Sequence, residues 1–219
     1  LCFGVLLVAC EEKLQVSPQG VETVFRFSFS FEDEPQTRAI SDGKSADKLV
    51  YIIVNKEGES VYRGEKILPS ALVPSSEVAV NLTLAGGHIY KAIFWAQSSK
   101  CNAYTITDEL TVKVDYSGVA NDELRDAFYG VSSVFTVEDG GADVTLKRPF
   151  AQLNAGAYPF DWEWVKDFHK FEAIRSTVLV YDVPDVLNLL DGSVDGKVNA
   201  SFLPGQIPQE KLKVDVDEN

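Results

Sequence analysis

Val24-Phe25-Arg26-Phe27-Ser28-Phe29-Ser30-Phe31 decides the fold. Phenylalanine occupies every second position and polar residues fall between, the period of a strand with one face in a core and the other in water. Working outward, the same signal returns repeatedly. Residues 49–54 are continuously apolar, Lys56-Glu57-Gly58-Glu59 supplies a turn, and residues 60–63 can return as a hairpin partner. Val78, Val80, Leu82 and Leu84 alternate up to Ala85-Gly86-Gly87. Residues 89–96 are apolar at nearly every position, which predicts a central strand covered on both faces.

The pattern continues through residues 104–107 and through Leu110, Val112 and Val114. Asn121-Asp122-Glu123 reads as the cap of a short helix running to Tyr129. Residues 131–137 and 144–153 flank Glu138-Asp139-Gly140-Gly141 as a second hairpin. Beyond Gly156, Asp161 can open a helix over residues 160–171, and strands are expected at 174–181 and 198–203, with a turn-bounded apolar stretch at 184–190. Many short strands, Gly-rich turns and little helix predict an all-β chain, an antiparallel β-sandwich with minor helix.

Composition agrees and sets limits. Of 219 residues, 45% are hydrophobic and 11% aromatic, enough for a sizeable core and too rich for a disordered chain. Twenty Lys and Arg against 33 Asp and Glu give a formal charge of −13. Such a surface repels phosphate backbones, so no nucleic-acid partner is expected, and docking on an anionic leaflet through a basic patch is disfavoured too.

The first nine residues, Leu-Cys-Phe-Gly-Val-Leu-Leu-Val-Ala, form an uncharged apolar run too short to span a membrane. They read as the tail of a signal peptide. Leu7-Val8-Ala9-Cys10 resembles the bacterial lipobox, in which cleavage before the Cys exposes it for lipid attachment. A buried apolar strand with a chance Cys is the competing account. Residues 10–22 then serve as a polar tether and residues 23–219 as the folded domain. Acylation of Cys10 leaves Cys101 as the single thiol of the exported chain, whereas a Cys10 to Cys101 disulfide is the alternative. Met is absent and the last residues, Asp215-Val216-Asp217-Glu218-Asn219, do not close a domain, so the chain is expected to be truncated at both ends.

Enzyme motifs fail one by one. There is no G-x-S-x-G, no phosphate-cradling G-x-x-x-x-G-K and no C-x-x-C, and the two histidines, His88 and His169, lie far apart in sequence. No catalysis, cofactor or metal is expected. Asp191-Gly192-Ser193-Val194-Asp195-Gly196 has the outline of a calcium loop, but position twelve is Phe202 where a bidentate Glu is needed, so it reads as a polar turn. Asp108-Glu109 and Asp122-Glu123 read as turn and capping acids. Trp162, Glu163 and Trp164 form the one constellation with a ligand reading: aromatic rings beside a carboxylate suit stacking on a sugar and recognition of its hydroxyls. The alternative is that these rings pack over an open end of the sandwich.

Val144-Thr145-Leu146-Lys147-Arg148-Pro149-Phe150-Ala151-Gln152-Leu153-Asn154 completes a wider resemblance. With the lipobox, the Phe25 to Phe31 alternation, Thr37-Arg38-Ala39, Asp42-Gly43 followed by residues 48–54, and Val183-Pro184 before Leu187-Asn188-Leu189-Leu190-Asp191-Gly192, the chain resembles the fimbrillin-type lipoproteins of Bacteroidales bacteria. That resemblance implies a transthyretin-like Greek-key sandwich and a role as a structural or adhesive subunit of surface fimbriae, exported to the outer membrane through a lipid on Cys10. It implies proteolytic processing after an Arg near the first strand, which only Arg38 matches. Phe25, Phe27, Phe29 and Phe31 would then leave with the displaced first strand, and a donor strand from another fimbrial subunit would enter. By the same resemblance, the second half that carries a donor strand in polymerising subunits is expected to lie outside this sequence. A surface lipoprotein that binds a host or bacterial glycan or another protein without polymerising is the other reading.

Overall fold

The structure, a computed structural model, describes residues 20–31, 45–73, 75–118, 122–150, 164, 167, 168 and 175–206. It is nearly all β. In chain order the strands are β1 (Gly20–Phe31), β2 (Lys48–Val54), β3 (Ser60–Ile67), β4 (Glu77–Ala85), β5 (Lys91–Gln97), β6 (Tyr104–Ile106), β7 (Thr111–Val114), β8 (Ala127–Val131), β9 (Gly141–Leu146), β10 (Arg175–Val183), β11 (Val186–Asn188), β12 (Val194–Asp195) and β13 (Val198–Gln206). They form a three-stranded sheet β4-β1-β9, a four-stranded sheet β3-β2-β5-β8, a second four-stranded sheet β12-β11-β7-β6, and a β10-β13 ribbon.

The sandwich has a third layer. β2 and β5 are the inner strands of the β3-β2-β5-β8 sheet and are buried on both faces. From one face Leu49, Tyr51, Ile53, Ala92, Phe94 and Ala96 meet the inward side chains of β1, β4 and β9. From the other, Val50, Ile52, Val54, Ile93 and Trp95 meet Val112, Leu187 and Leu189 of the β12-β11-β7-β6 sheet. This two-sided burial is why those strands read as continuous apolar runs while β4, buried on one side, alternates strictly.

Two expectations are corrected. The helix read from residue 121 to Tyr129 is a single 3-10 turn, Glu123–Arg125, opened by the Asp122 carboxylate accepting the Leu124 N–H at 3.0 Å. Ala127 onward is strand β8 instead, because Ala-Phe-Tyr-Gly-Val pairs along β5 from Gln97 to Ile93 and sinks its rings on both faces. The second hairpin also fails as drawn. β9 pairs in parallel with β1, Arg26 opposite Gly141 through Phe31 opposite Leu146, the exception to otherwise antiparallel pairing among the described strands. Its contact with the preceding segment is reduced to isolated bridges, Ser132 with Val144 and Tyr129 with Lys147.

Those bridges close one flank of the sandwich. Tyr129 and Lys147 exchange backbone hydrogen bonds at 2.9 Å in both directions, so the chain leaving β9 passes onto the edge of the neighbouring sheet. Gly130 permits the approach, since a β-carbon there would sit 2.4 Å from the Thr145 carbonyl oxygen. On the opposite flank β3 and β4 are, among the described strands, the edges of their own sheets.

Candidate functional site

β1 lies between its two neighbours. It runs antiparallel to β4, from Gly20 opposite Ala85 to Ser28 opposite Glu77, and parallel to β9 over its second half. The Phe29 N–H donates to Ser76 O at 2.8 Å, and Ser75 N–H donates to Phe29 O at 2.9 Å, extending the first ladder. The alternation read from the sequence is realised in the burial: Phe25 and Phe27 are wholly inaccessible and Phe29 nearly so, while Arg26, Ser28 and Ser30 face solvent and Phe31 is half-buried.

The pockets holding these rings are aromatic. Phe25 and Phe27 meet Phe135 edge-on at 5.5 and 5.7 Å, Phe27 and Phe29 meet Phe94 at 4.9 and 5.0 Å, and Phe31 meets Phe128 at 4.9 Å. Edge-to-face contacts of this kind add to simple area burial and fix ring orientation. The positions of Phe94, Phe128 and Phe135 were not singled out by the sequence. Phe135 reaches the core because it bridges Tyr90, exchanging backbone hydrogen bonds at 2.8 and 3.0 Å.

The segment around Lys147-Arg148-Pro149-Phe150 acts as a clamp. The Arg148 guanidinium makes a two-pronged contact with the buried Asp126 carboxylate, Nε to Oδ1 at 2.8 Å and Nη2 to Oδ2 at 2.9 Å, and lies 5.2 Å over the Phe128 ring. Phe150 stacks on Tyr104 at 5.4 Å and meets Trp95 edge-on at 6.0 Å. Tyr104 is half-buried, its desolvation raises its phenol well above the usual range, and its hydroxyl donates to the Arg125 carbonyl.

Cys10 and Arg38 lie outside the described residues, as do Trp162, Glu163 and His169. Trp164 and Phe168 are helical and exposed, at 48% and 74%, with rings stacked 5.8 Å apart and 16° from parallel. His88 is exposed. Cys101 is half-buried, and burial pushes its thiol up. In the loop at 191–196 the carboxylates are engaged locally: Asp191 accepts the Ser193 hydroxyl at 2.6 Å and its N–H at 2.8 Å, and Asp195 accepts the Gly196 N–H at 2.7 Å. The Ser193 contacts hold the Asp191 carboxyl below its ordinary value.

Among solved structures the chain is similar to the fimbrial anchor protein Mfa2 from Porphyromonas gingivalis, at 14% identity and a TM-score of 0.48, over 84% of this chain and 67% of that one. It is similar to a fimbrial assembly protein from Parabacteroides distasonis at 15% identity and 0.43, over 87% and 74%. A candidate adhesin from Bacteroides ovatus is similar at 12% identity and 0.47, over 81% and 62%. A search of curated protein sequences returns no match. One sequence family takes in every strand described above, from β1 to β13: residues 17–216 match DUF6562, and the chain belongs to that family of unknown function.

Proposed function

We propose that the chain is a non-catalytic structural or adhesive subunit of bacterial surface fimbriae. In this reading it is exported as an outer-membrane lipoprotein through Cys10, tethered by residues 10–22, and joined to other subunits by donor-strand exchange after cleavage at Arg38. The observation that carries the reading is the setting of β1. It is the first described strand, it is bonded to β4 on one side and β9 on the other, and it delivers three buried phenylalanines between two sheets. A strand so placed leaves behind two free backbone edges and a row of ring-sized pockets when it departs, which is what an incoming alternating strand needs. Each fully covered Phe contributes about 1.5–3 kcal/mol, so cleavage alone does not free β1 and a competing strand has to drive it out. Labelled palmitate should enter the wild type and not Cys10→Ala. Trypsin-nicked wild type should form oligomers that survive mild denaturant, and uncut Arg38→Ala should form none that do. Equal assembly by Arg38→Ala would remove the donor-strand reading.

The exposed, stacked rings of Trp164 and Phe168 favour a second reading, in which a non-polymerising surface lipoprotein holds a glycan or another protein. Glycan-array binding lost in Trp164→Ala would support it. Retained binding would remove it.

A further inference from the structure

We infer that the β3 edge is a self-association surface, on which a second copy of this chain pairs antiparallel about Gly64. Among the described strands β3 ends its sheet, and it carries two exposed apolar side chains, Val61 and Ile67, at 47% and 58%. The backbone direction of each residue follows from the ladder with β2. Leu68 N–H donates to Asp47 O at 2.7 Å, and the register pairs Ile67 with Lys48 and Tyr51 with Gly64. By the alternation of antiparallel pairing, Tyr62, Gly64 and Lys66 therefore turn their N–H and C=O groups to β2. Arg63, Glu65 and Ile67 turn theirs to the open edge, and the alternation stops at Tyr62, where a bulge between Ile53 and Val54 leaves Val61 outside the ladder.

A symmetric antiparallel pair must match edge-directed residues with edge-directed residues, which leaves three registers near the middle of the strand. Centring on Arg63 sets Arg63 against its own copy, and centring on Glu65 sets Glu65 against its own copy. Centring on Gly64 sets Arg63 against the second copy's Glu65 and Glu65 against its Arg63. Tyr62 then faces Lys66 on the other side of the sheet. Like charges directly opposite repel and unlike charges attract, so only the Gly64 register is complementary. In the strand Ser60-Val61-Tyr62-Arg63-Gly64-Glu65-Lys66-Ile67 the two residues flanking the glycine carry opposite charges.

Arg63 and Glu65 have present partners, and both are at the surface. Arg63 reaches Asp108 at 3.4 Å and Ile106 O at 3.1 Å, and Glu65 reaches Lys48 at 2.8 Å. The side chains of Asp108 and Glu65 are 105% and 63% exposed, so these pairs exchange readily with others. Beside the edge lies a cleft of about 290 Å³ lined by Tyr51, Glu65, Lys66, Ala79, Val80 and Asn81. Lys66 Nζ crosses it to Ala79 O at 2.9 Å, and the second copy's Tyr62 would arrive at its mouth. Edge charges ordinarily keep strands from pairing, and here the same charges select one register.

The experiment uses the uncleaved chain, so it is independent of donor-strand exchange. Sedimentation from micromolar to millimolar concentration should show a monomer–dimer equilibrium. Arg63→Glu and Glu65→Arg should each weaken it at least tenfold, and Arg63→Glu/Glu65→Arg should restore it, with circular dichroism confirming that each variant is folded. Hydrogen exchange should show the amides of Arg63, Glu65 and Ile67 gaining protection with concentration, while those of Tyr62 and Lys66 stay constant. A monomer throughout, a dimer indifferent to the single reversals, or a double reversal no better than the singles would overturn the inference.

Discussion

Gly141 lies against Arg26 so closely that a β-carbon at position 141 would collide with the Arg26 carbonyl oxygen, and its φ of 151° is one that side-chain-bearing residues rarely adopt. The Arg26 N–H donates to the adjacent Gly140 O at 2.8 Å. This contact starts the parallel β1 and β9 pairing and sets its register. Gly141→Ala should therefore cost about 1–3 kcal/mol, the range for forced overpacking. In hydrogen exchange the loss of protection should centre on Ser28 and Ser30, whose amides alternate toward β9, rather than on Phe27 and Phe29. A variant as stable as wild type would show that β9 is not held there.

The four phenylalanines of β1 should not be equivalent. Phe27 is wholly buried against both Phe94 and Phe135, whereas Phe31 is half-buried against Phe128. Truncating Phe27 to Ala should cost about 3–5 kcal/mol in urea unfolding, and Phe31→Ala clearly less. Equal costs would mean that the core does not follow the strand alternation.

Asp126 and Arg148 offer a test of the clamp. The Asp126 side chain is 5% exposed and that of Arg148 21%, so removing Arg148 takes a two-pronged cationic partner from a buried carboxylate. Arg148→Ala should lose about 3–5 kcal/mol, and adding Asp126→Asn should recover part of that loss rather than add to it. Strict additivity in the double-mutant cycle would mean that the pair is not coupled.

Alkaline stability should depend on Tyr51. Burial, and then the neighbouring Tyr62 hydroxyl, push its phenol up to about 12. An acid held protonated by folding contributes stability that is intact below its unfolded value near 10 and is lost as pH rises from there toward 12. Tyr51→Phe should accordingly flatten the fall in melting temperature between about pH 10 and 12. Its tyrosinate absorbance should also lose one of the late-titrating phenols expected of wild type, with Tyr104 still titrating late. An unchanged alkaline limb would place the sensitivity elsewhere.

The layers were legible unevenly, and the reasons are physical. Alternation in β1 and β4 and the apolar run of β5 each record how many faces of the strand are buried, so strand identity and the central position of β5 could be read directly. Partnership could not. Gly140-Gly141 carries the same signal whether it turns a hairpin or lets β9 slide beside β1, and only the approach to Arg26 separates the two. Ala127 to Val131 was misread because Asp122 does cap a turn, and a cap says nothing about how far the turn propagates. The aromatic floor under β1 comes from Phe94, Phe128 and Phe135, brought together by pairings with no local signature.

The central claim is that β1 is a replaceable strand. The direct measurement is to nick the full chain with limiting trypsin, add an isotopically labelled peptide of residues 20–31, and follow by mass spectrometry which strand the folded body retains. The account predicts first cleavage at Arg38, then one-for-one replacement of native β1 by the labelled peptide, with a Phe27→Ala peptide failing to compete and uncut Arg38→Ala showing no exchange. Native β1 retained for as long as the body stays folded, or first cleavage at another bond, would contradict it.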